Sequence, residues 1–284
     1  MPKMKISLII PTYNRIEITD VFIYQLVKYH QDDLHEIIIS DDGSEQDQVK
    51  VIEKYKSEIK IPCKAVRQRN KGFRSARARN NGARISTGDY LCFLDQDCIP
   101  SIDYFKHTKR FARSNRFIIT RPIYTKKDEK EKICDDSAVE YLVKLYEEHK
   151  KHLYKLVVKD YIYHIGKHLG IGDMRPKLQA GGFSLFKDKF QSVNGFDDNY
   201  IGWGHPDDDL GRRLYLMKIF GFNISHRAWM YHLWHPPEPS KGKGFNKEYY
   251  KRKIYDLEHV TAHIGVNDDT GEEIEVIKIN EVNR

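Results

Sequence analysis

The chain has 284 residues, 40% apolar and 31% charged, with 18 Tyr, 13 Phe and 3 Trp, a content that excludes a disordered chain and allows one large domain or two small ones. The net charge of +7 suits phosphorylated small molecules or anionic lipid, whereas the lack of zinc-finger spacing or an arginine-rich tract argues against nucleic acid as a partner.

Residues 5–10, KISLII, read as a buried strand ended by Pro11, too short an apolar stretch for a signal peptide. Ile18, Val21, Phe22, Leu26 and Tyr29 then recur at helical spacing within 15–30. HEIIIS is a second strand, 47–57 a helix, CKAVRQ at 63–68 a third strand, 74–86 a helix after the Asn70-Lys71-Gly72 turn, and YLCFL at 90–94 a fourth strand. Four such alternations predict an α/β fold, a Rossmann-like and mostly parallel sheet flanked by helices. Ligands of such sheets bind beyond the carboxyl ends of the strands, where PTYNR, DDGS, RNKGFRSARARN and DQD lie.

Residues 126–175 turn rich in Lys, Glu, His and Tyr and predict a helical insertion that covers the site or faces a partner. From 178 to 235 the pattern is irregular, with Gly181-Gly182 and GWGHPDDDLGRRL. SKGKGFNK then predicts a loop, followed by a short helix and a charged, partly alternating tail, EEIEVIKINEV. The expected organisation is a nucleotide-binding half over 1–100, an acceptor half over 101–240 that includes the insertion, and a tail over 241–284. Cys63, Cys92, Cys98 and Cys134 form no CxxC pair, so a reduced, cytoplasmic setting is expected. No run of about 18 apolar residues predicts a membrane span.

Five segments carry chemistry. Asp95-Gln96-Asp97 ends an apolar strand, where carboxylates are costly unless neutralised. Mg²⁺ or Mn²⁺, which also bridges nucleotide phosphates, is the natural partner, though a solvated turn fits the same spacing. Asp41 and Asp42 close the second strand and can accept from a base or ribose, or form an ordinary Asp-Gly turn. Arg74, Arg77 and Arg79 start a helix and can meet phosphate oxygens or lie on a solvated basic face. Asp207, Asp208 and Asp209 begin another helix, where its dipole favours acids. Trp203, flanked by glycines, offers a flat face to a sugar, and a neighbouring carboxylate can act as general base. His232 or His235 can complete a metal shell begun by Asp97, or be structural in an aromatic corner.

Taken together, SLIIPTYNR, IIISDDGS, NKGFRSARARNNGA and GDYLCFLDQD, in that order, resemble the family 2 glycosyltransferases of the GT-A fold. The segment from AGGFSLFKDKF to GWGHPDDDLGRRL is similar to the carboxyl-terminal part of β-1,4-galactosyltransferases and bacterial chondroitin-type polymerases. The resemblance implies a metal-dependent, inverting transfer of a sugar, galactose or N-acetylgalactosamine favoured, from a UDP-sugar to a hydroxyl of a surface glycan. That acceptor is expected to be lipid-linked or free, with peripheral association of the protein with the inner face of a membrane. Pro11, Tyr13 and Arg15 would line the nucleotide pocket with Gln96. Asp41, or Asp42 in its place, would contact uracil or ribose, Arg79 the base or diphosphate, and Asp95 the ribose side. Trp203 would lie against the sugar. Asp97 would hold Mn²⁺ or Mg²⁺ with His232, His235 being the alternative. Asp207 would be the general base, with Asp208 the alternative. The galactosyltransferase pattern has an acid just before the acidic run, where this chain has Pro206 after His205, and that departure bears on the acceptor. Two rival readings are a sugar nucleotidyltransferase and a non-catalytic glycan- or lipid-binding scaffold. The first lacks its glycine-rich loop after the first strand, and the second would be expected to have lost acids that this chain retains.

Overall fold

The computed structural model describes residues 4–127, 129, 133, 138–171, 178–179, 181–254 and 258–281. Cys134 and the last residues of the expected insertion lie outside the described residues. The chain begins β1 (Ile6–Thr12), α1 (Ile16–Tyr29), β2 (Glu36–Asp41), α2 (Gln48–Glu53), β3 (Cys63–Gln68), α3 (Ser75–Ile85) and β4 (Tyr90–Leu94). Strands β1, β2 and β4 are buried on both faces, so they read as continuous apolar runs. Ile6, Leu8 and Ile10 of β1 pack into one core, and Ile9 packs into the other. Period-two alternation thus feeds two hydrophobic layers from one strand.

β1 does not end at Pro11 but runs on to Thr12, with Pro11 opposite Ser40 of β2. The backbone explains this. Ile6 and Thr12 accept from His35 and Asp42 on the β2 side, so alternate residues, Pro11 among them, face β4. There the ladder has already stopped, at Ile9 opposite Phe93. The missing N–H of Pro11 therefore costs no ladder bond.

After β4 come β5 (Cys98–Pro100), α4 (Tyr104–Phe111), β6 (Arg116–Ile119), β7 (Pro122–Tyr124), α5 (Ala138–His168), β8 (Gly182–Phe186), α6 (Lys187–Ser192), α7 (Pro206–Leu216), β9 (Phe220–Asn223), β10 (Met230–His232), α8 (Lys247–Ile254) and β11 (Ile274–Asn280). The main sheet has eight strands in the order β11-β3-β2-β1-β4-β8-β6-β9. Its β1–β2, β2–β3, β1–β4 and β6–β9 pairs are parallel, and β11–β3, β4–β8 and β6–β8 are antiparallel. The order β3-β2-β1-β4 places a topological switch point between β1 and β4, where a crevice opens beyond the strand ends. The tail, expected only as charged and partly alternating, forms edge strand β11 on β3.

A second sheet, β5-β10-β7, brings a distant segment to that crevice. β10 pairs antiparallel with β5, putting His232 opposite Cys98, and parallel with β7, putting His232 opposite Tyr124. A single helix, α5, makes up most of the expected insertion and packs on β9 and β7. Among the described residues no helix is long and apolar enough to cross a membrane.

Candidate active site

Three strand ends build the crevice. Beyond β1 the chain turns through Asn14 and Arg15, both in the left-handed region at φ 49° and 55°. Asn14 N–H donates to Ser44 Oγ at 2.7 Å, and Tyr13 N–H to Gln96 Oε1 at 2.9 Å. The Gln96 amide also donates to the Asn14 carbonyl at 3.3 Å. Gln96 thus braces the β1 loop against the β4 loop. Pro11 is buried in β1, while Tyr13 and Arg15 are half-buried beyond it. Tyr13 Oη accepts from Asn70 Nδ2 at 3.3 Å, and Arg15 reaches the Pro236 carbonyl at 3.4 Å.

Asp41 and Asp42 differ in their surroundings. Asp41 accepts from Ser44 N–H and Oγ–H and stands 3.3 Å from Arg67 Nε. Burial raises its carboxyl, and those donors oppose the rise. Asp42 accepts from Arg74 N–H at 2.6 Å and from the Gln68 amide. Burial lifts it to about 7 against those donors. Its oxygens are taken by the start of α3 and the end of β3, so of the two acids Asp41 is the better placed to meet a ligand.

Arg74, Arg77 and Arg79, at the start of α3, diverge. Arg74 and Arg77 are buried against Glu272 of the tail, at 2.8 and 3.0 Å, and Arg77 also meets Asp198. Neither is turned to the crevice as a phosphate ligand. Arg79 instead pairs with Asp95 at 2.5 Å and lies over the Phe196 ring. Gly181 is close to this pair, since a Cβ there would stand 3.0 Å from Asp95 Oδ2. Its neighbour Gly182 admits the Met230 side chain where a Cβ would collide with it. Residue-type patterning gives Gly181 no site role, and the only signal is the Gly181-Gly182 pair itself.

Asp97 follows at the crevice floor. His235 Nε2 is 2.8 Å from Asp97 Oδ2, and His232 Nε2 is 3.8 Å from Asp97 Oδ1. Ligand-capable atoms of the three residues all lie within 4.8 Å of one another. Leu233 N–H donates to the Asp97 carbonyl at 2.7 Å, fixing this strand against β5. Burial works to raise the Asp97 carboxyl, but the hydrogen bond from His235 and the two imidazoles outweigh it and leave it below the usual range. The same hydrogen bond raises His235, against its burial. His235 Nδ1 meets the Pro236 carbonyl at 2.6 Å, which assigns the proton to Nδ1 and turns the Nε2 lone pair to the cluster whenever the ring is neutral. His232 Nδ1 is buried with no hydrogen-bond partner among the described residues, and its Nε2, at 3.8 Å, is beyond hydrogen-bond reach of Asp97. One carboxylate beside two imidazoles with an unsatisfied ring is a donor set that fits a divalent cation. Sequence alone points to one histidine with the other as alternative, and the fold brings both to Asp97.

The acidic run opens α7, whose first residue is Pro206 after His205 at φ 72°. Successive helical residues point about 100° apart, so the three acids diverge. Asp209 is buried on Arg213 at 2.9 Å and Arg212 at 3.5 Å. Asp208 accepts from His205 Nδ1 at 3.1 Å, and His205 stacks on Tyr250. Asp207 has no ion-pair partner of its own among the described residues. Burial first, then the adjacent Asp208 charge, lift it to about 6, and Arg79 pulls the other way. Arg79 thus pairs with Asp95, and its charge is also felt at Asp207. Trp203, 46% exposed, lies in the loop before α7 with the Lys241 ammonium 5.6 Å from its ring.

Comparison with known proteins identifies the family and the fold. The sequence profile of glycosyl transferase family 2 matches residues 7–166, and that described as the N-terminal domain of galactosyltransferase matches residues 162–236. Chondroitin synthase of Pasteurella multocida (strain Pm70) is 26% identical over 268 residues, covering 88% of this chain. This chain spans only 27% of that relative's length. Among solved structures, S. aureus TarS 1–349 in complex with UDP superposes with a TM-score of 0.57 at 15% identity, over 88% of this chain and 64% of that one. GalNAc-T7 with UDP, GalNAc and Mn²⁺ does so with a TM-score of 0.57 at 13% identity, over 88% and 48%. At such identities the likeness is one of fold, and the fold is GT-A.

Proposed function

The chain belongs to glycosyl transferase family 2, and from that membership we propose that it moves a sugar from a UDP-sugar to a hydroxyl of a glycan with inversion at the anomeric carbon. The observation that carries the reading is the meeting of Asp97, His232 and His235 just beyond the end of β4. A divalent cation held by these three residues would offset charge on the diphosphate leaving group. The two imidazole nitrogens favour Mn²⁺ over Mg²⁺, which prefers oxygen ligands throughout. Mn²⁺ in GalNAc-T7 supports this choice, and UDP there and in TarS supports a UDP-sugar donor.

Asp41 accepts from uracil or ribose, and Pro11, Tyr13 and Arg15 line that pocket around the Gln96 brace. Asp95 takes the ribose side, and Arg79 is set to meet the diphosphate. Asp207 takes the proton from the acceptor hydroxyl as its oxygen attacks the anomeric carbon. The bond from that carbon to the β-phosphate oxygen breaks, and UDP leaves with the electron pair. One displacement inverts the configuration. Trp203 offers its exposed face to the acceptor sugar. The match to the galactosyltransferase profile favours galactose or N-acetylgalactosamine as the sugar moved. His205-Pro206 stands where that pattern has an acid, which sets the acceptor apart from that of galactosyltransferases; a surface glycan, free or lipid-linked, is the acceptor class of this reading. Three unpaired, buried thiols, Cys63, Cys92 and Cys98, support a reducing, cytoplasmic setting.

The test is a screen of the purified protein for hydrolysis of UDP-sugars with Mn²⁺ present. One donor should be hydrolysed slowly and the others not. No hydrolysis of any UDP-sugar, with no binding of UDP by calorimetry, would overturn the reading.

A further inference from the structure

The C-terminal half of α5 turns one face into the fold and leaves a second, apolar face exposed. Leu153, Asp160 and His164 face inward, and Asp160 is held by Arg121 at 2.7 Å and Asn223 at 2.7 Å. On the adjoining outer face Tyr154, Val158, Tyr161, Ile162 and Ile165 follow at helical spacing, with Leu169 just beyond the helix. These six side chains are between 42% and 68% exposed. Val157, Phe220 and Phe222 extend this surface inward, along a groove of about 650 Å³ between α5 and the edge strand β9. A contiguous exposed apolar patch of this kind marks an interaction surface rather than chance exposure.

Charge says what meets it. Lys144, Lys151, Lys155 and Lys159 are exposed on the same turns and the turns before. Glu147 shares this side but is paired with Lys150, which leaves Glu148 as the acid nearby. Arg116 stands at the groove, over Phe222. Lysines that alternate with tyrosines and isoleucines can bury apolar stems while keeping their charges at a polar, anionic boundary. A second copy of this face would set lysine against lysine, a juxtaposition that opposes self-association.

We propose that this face of α5 rests on an anionic bilayer surface, with Tyr161, Ile162 and Ile165 entering the headgroup boundary and Lys151, Lys155 and Lys159 meeting anionic headgroups. The proposal extends the transfer reading by naming the surface that would bring the site to a lipid-linked acceptor, and it stands apart from the chemistry at Asp97 and Asp207.

Sedimentation of the full chain with vesicles tests it. The protein should pellet with vesicles of phosphatidylcholine and phosphatidylglycerol, not with phosphatidylcholine alone, and added salt should release it. At about fivefold per lysine charge near such a surface, Lys155→Glu with Lys159→Glu should weaken partitioning by at least about twenty-fivefold. Ile162→Glu with Ile165→Glu should abolish it. Both double variants should keep wild-type far-UV circular dichroism and wild-type UDP-sugar hydrolysis, which separates lost docking from lost folding. Absent hydrolysis in every form would count against the transfer reading and leave this one intact. Equal pelleting with both vesicle types, or double variants that bind like wild type, would overturn it. So would a dimer in analytical ultracentrifugation that Ile162→Glu with Ile165→Glu dissociates, since that assigns the face to a second copy.

Discussion

Asp207, Asp208 and Asp209 are chemically alike and differ only in what surrounds them. Asp209 is spent on Arg212 and Arg213, and Asp208 on His205. That leaves Asp207, raised to about 6 by burial and by its neighbour's charge, as the acid with basicity to offer. A base is needed only when the acceptor attacks, so Asp207→Asn should bind UDP and Mn²⁺ as wild type does and transfer sugar at least about a hundredfold more slowly. Asp208→Asn is the control. Wild-type kcat in both variants would reduce the acidic run to a helix start. The pH profile follows from the same group. Asp207 acts only when deprotonated, so the transfer rate should be flat above its pKa and fall as pH drops through about 6. A wild-type profile flat from pH 5 to 8 would count against this base. The histidines differ from the acids in what they control. His232→Ala and His235→Ala should each weaken Mn²⁺ binding by about tenfold or more, because each ring nitrogen is one of few donors there. Calorimetric Mn²⁺ affinity unchanged in either variant would remove that ring from the metal set.

At the scale of elements, the tail strand β11 and the helix α3 are clasped by charge. Glu272 meets Lys71, Arg74 and Arg77, and this company holds its carboxyl down at about 2. A depressed carboxyl contributes stability above its unfolded value, and that contribution is lost as pH falls toward 2. Glu272→Ala would leave two buried guanidinium groups short of an acceptor, a loss of about 1.5–3 kcal/mol. Urea denaturation should show that loss at pH 7, with UDP affinity retained, and a smaller difference at pH 3. The same clasp shows what a sequence reading can reach. The first four strands were legible because they alternate with helices and because β1, β2 and β4 are buried on both faces. β11 was not, because Glu275 and Lys278 fall three residues apart and break its alternation, and its partner β3 is remote in sequence. β5, β7 and β10 have three residues each, too few to carry a period. In the candidate site the residue types were legible and their division of labour was not. Arg74, Arg77 and Arg79 look equivalent until the helix turns one toward Asp95 and two toward the tail.

Across the whole molecule, the proposed site is shared between segments that meet only in the folded state. Asp41, Arg79, Asp95 and Asp97 come from the first hundred residues, whereas Asp207, His232 and His235 arrive with α7 and β10. Ligands that span such a site bind the native state and not the unfolded chain, so they must raise the melting temperature by mass action. A ligand at about a hundredfold its Kd adds about 2.7 kcal/mol, and a chain somewhat above 250 residues gains about 2 °C per kcal/mol. UDP and Mn²⁺ should also help each other. The diphosphate supplies oxygen ligands to a cation that Asp97, His232 and His235 coordinate incompletely, and the cation neutralises the diphosphate. The melting temperature with both present should therefore exceed the sum of the separate shifts, measured by differential scanning fluorimetry. Chelator should return the protein with UDP to the small shift of UDP alone. Asp97→Ala should abolish the excess and leave that small shift, because Asp41 and the β1 loop are untouched. If chelator leaves the full UDP shift in place, nucleotide binds here without a metal, and the cluster at Asp97 is a hydrogen-bonded corner of the fold.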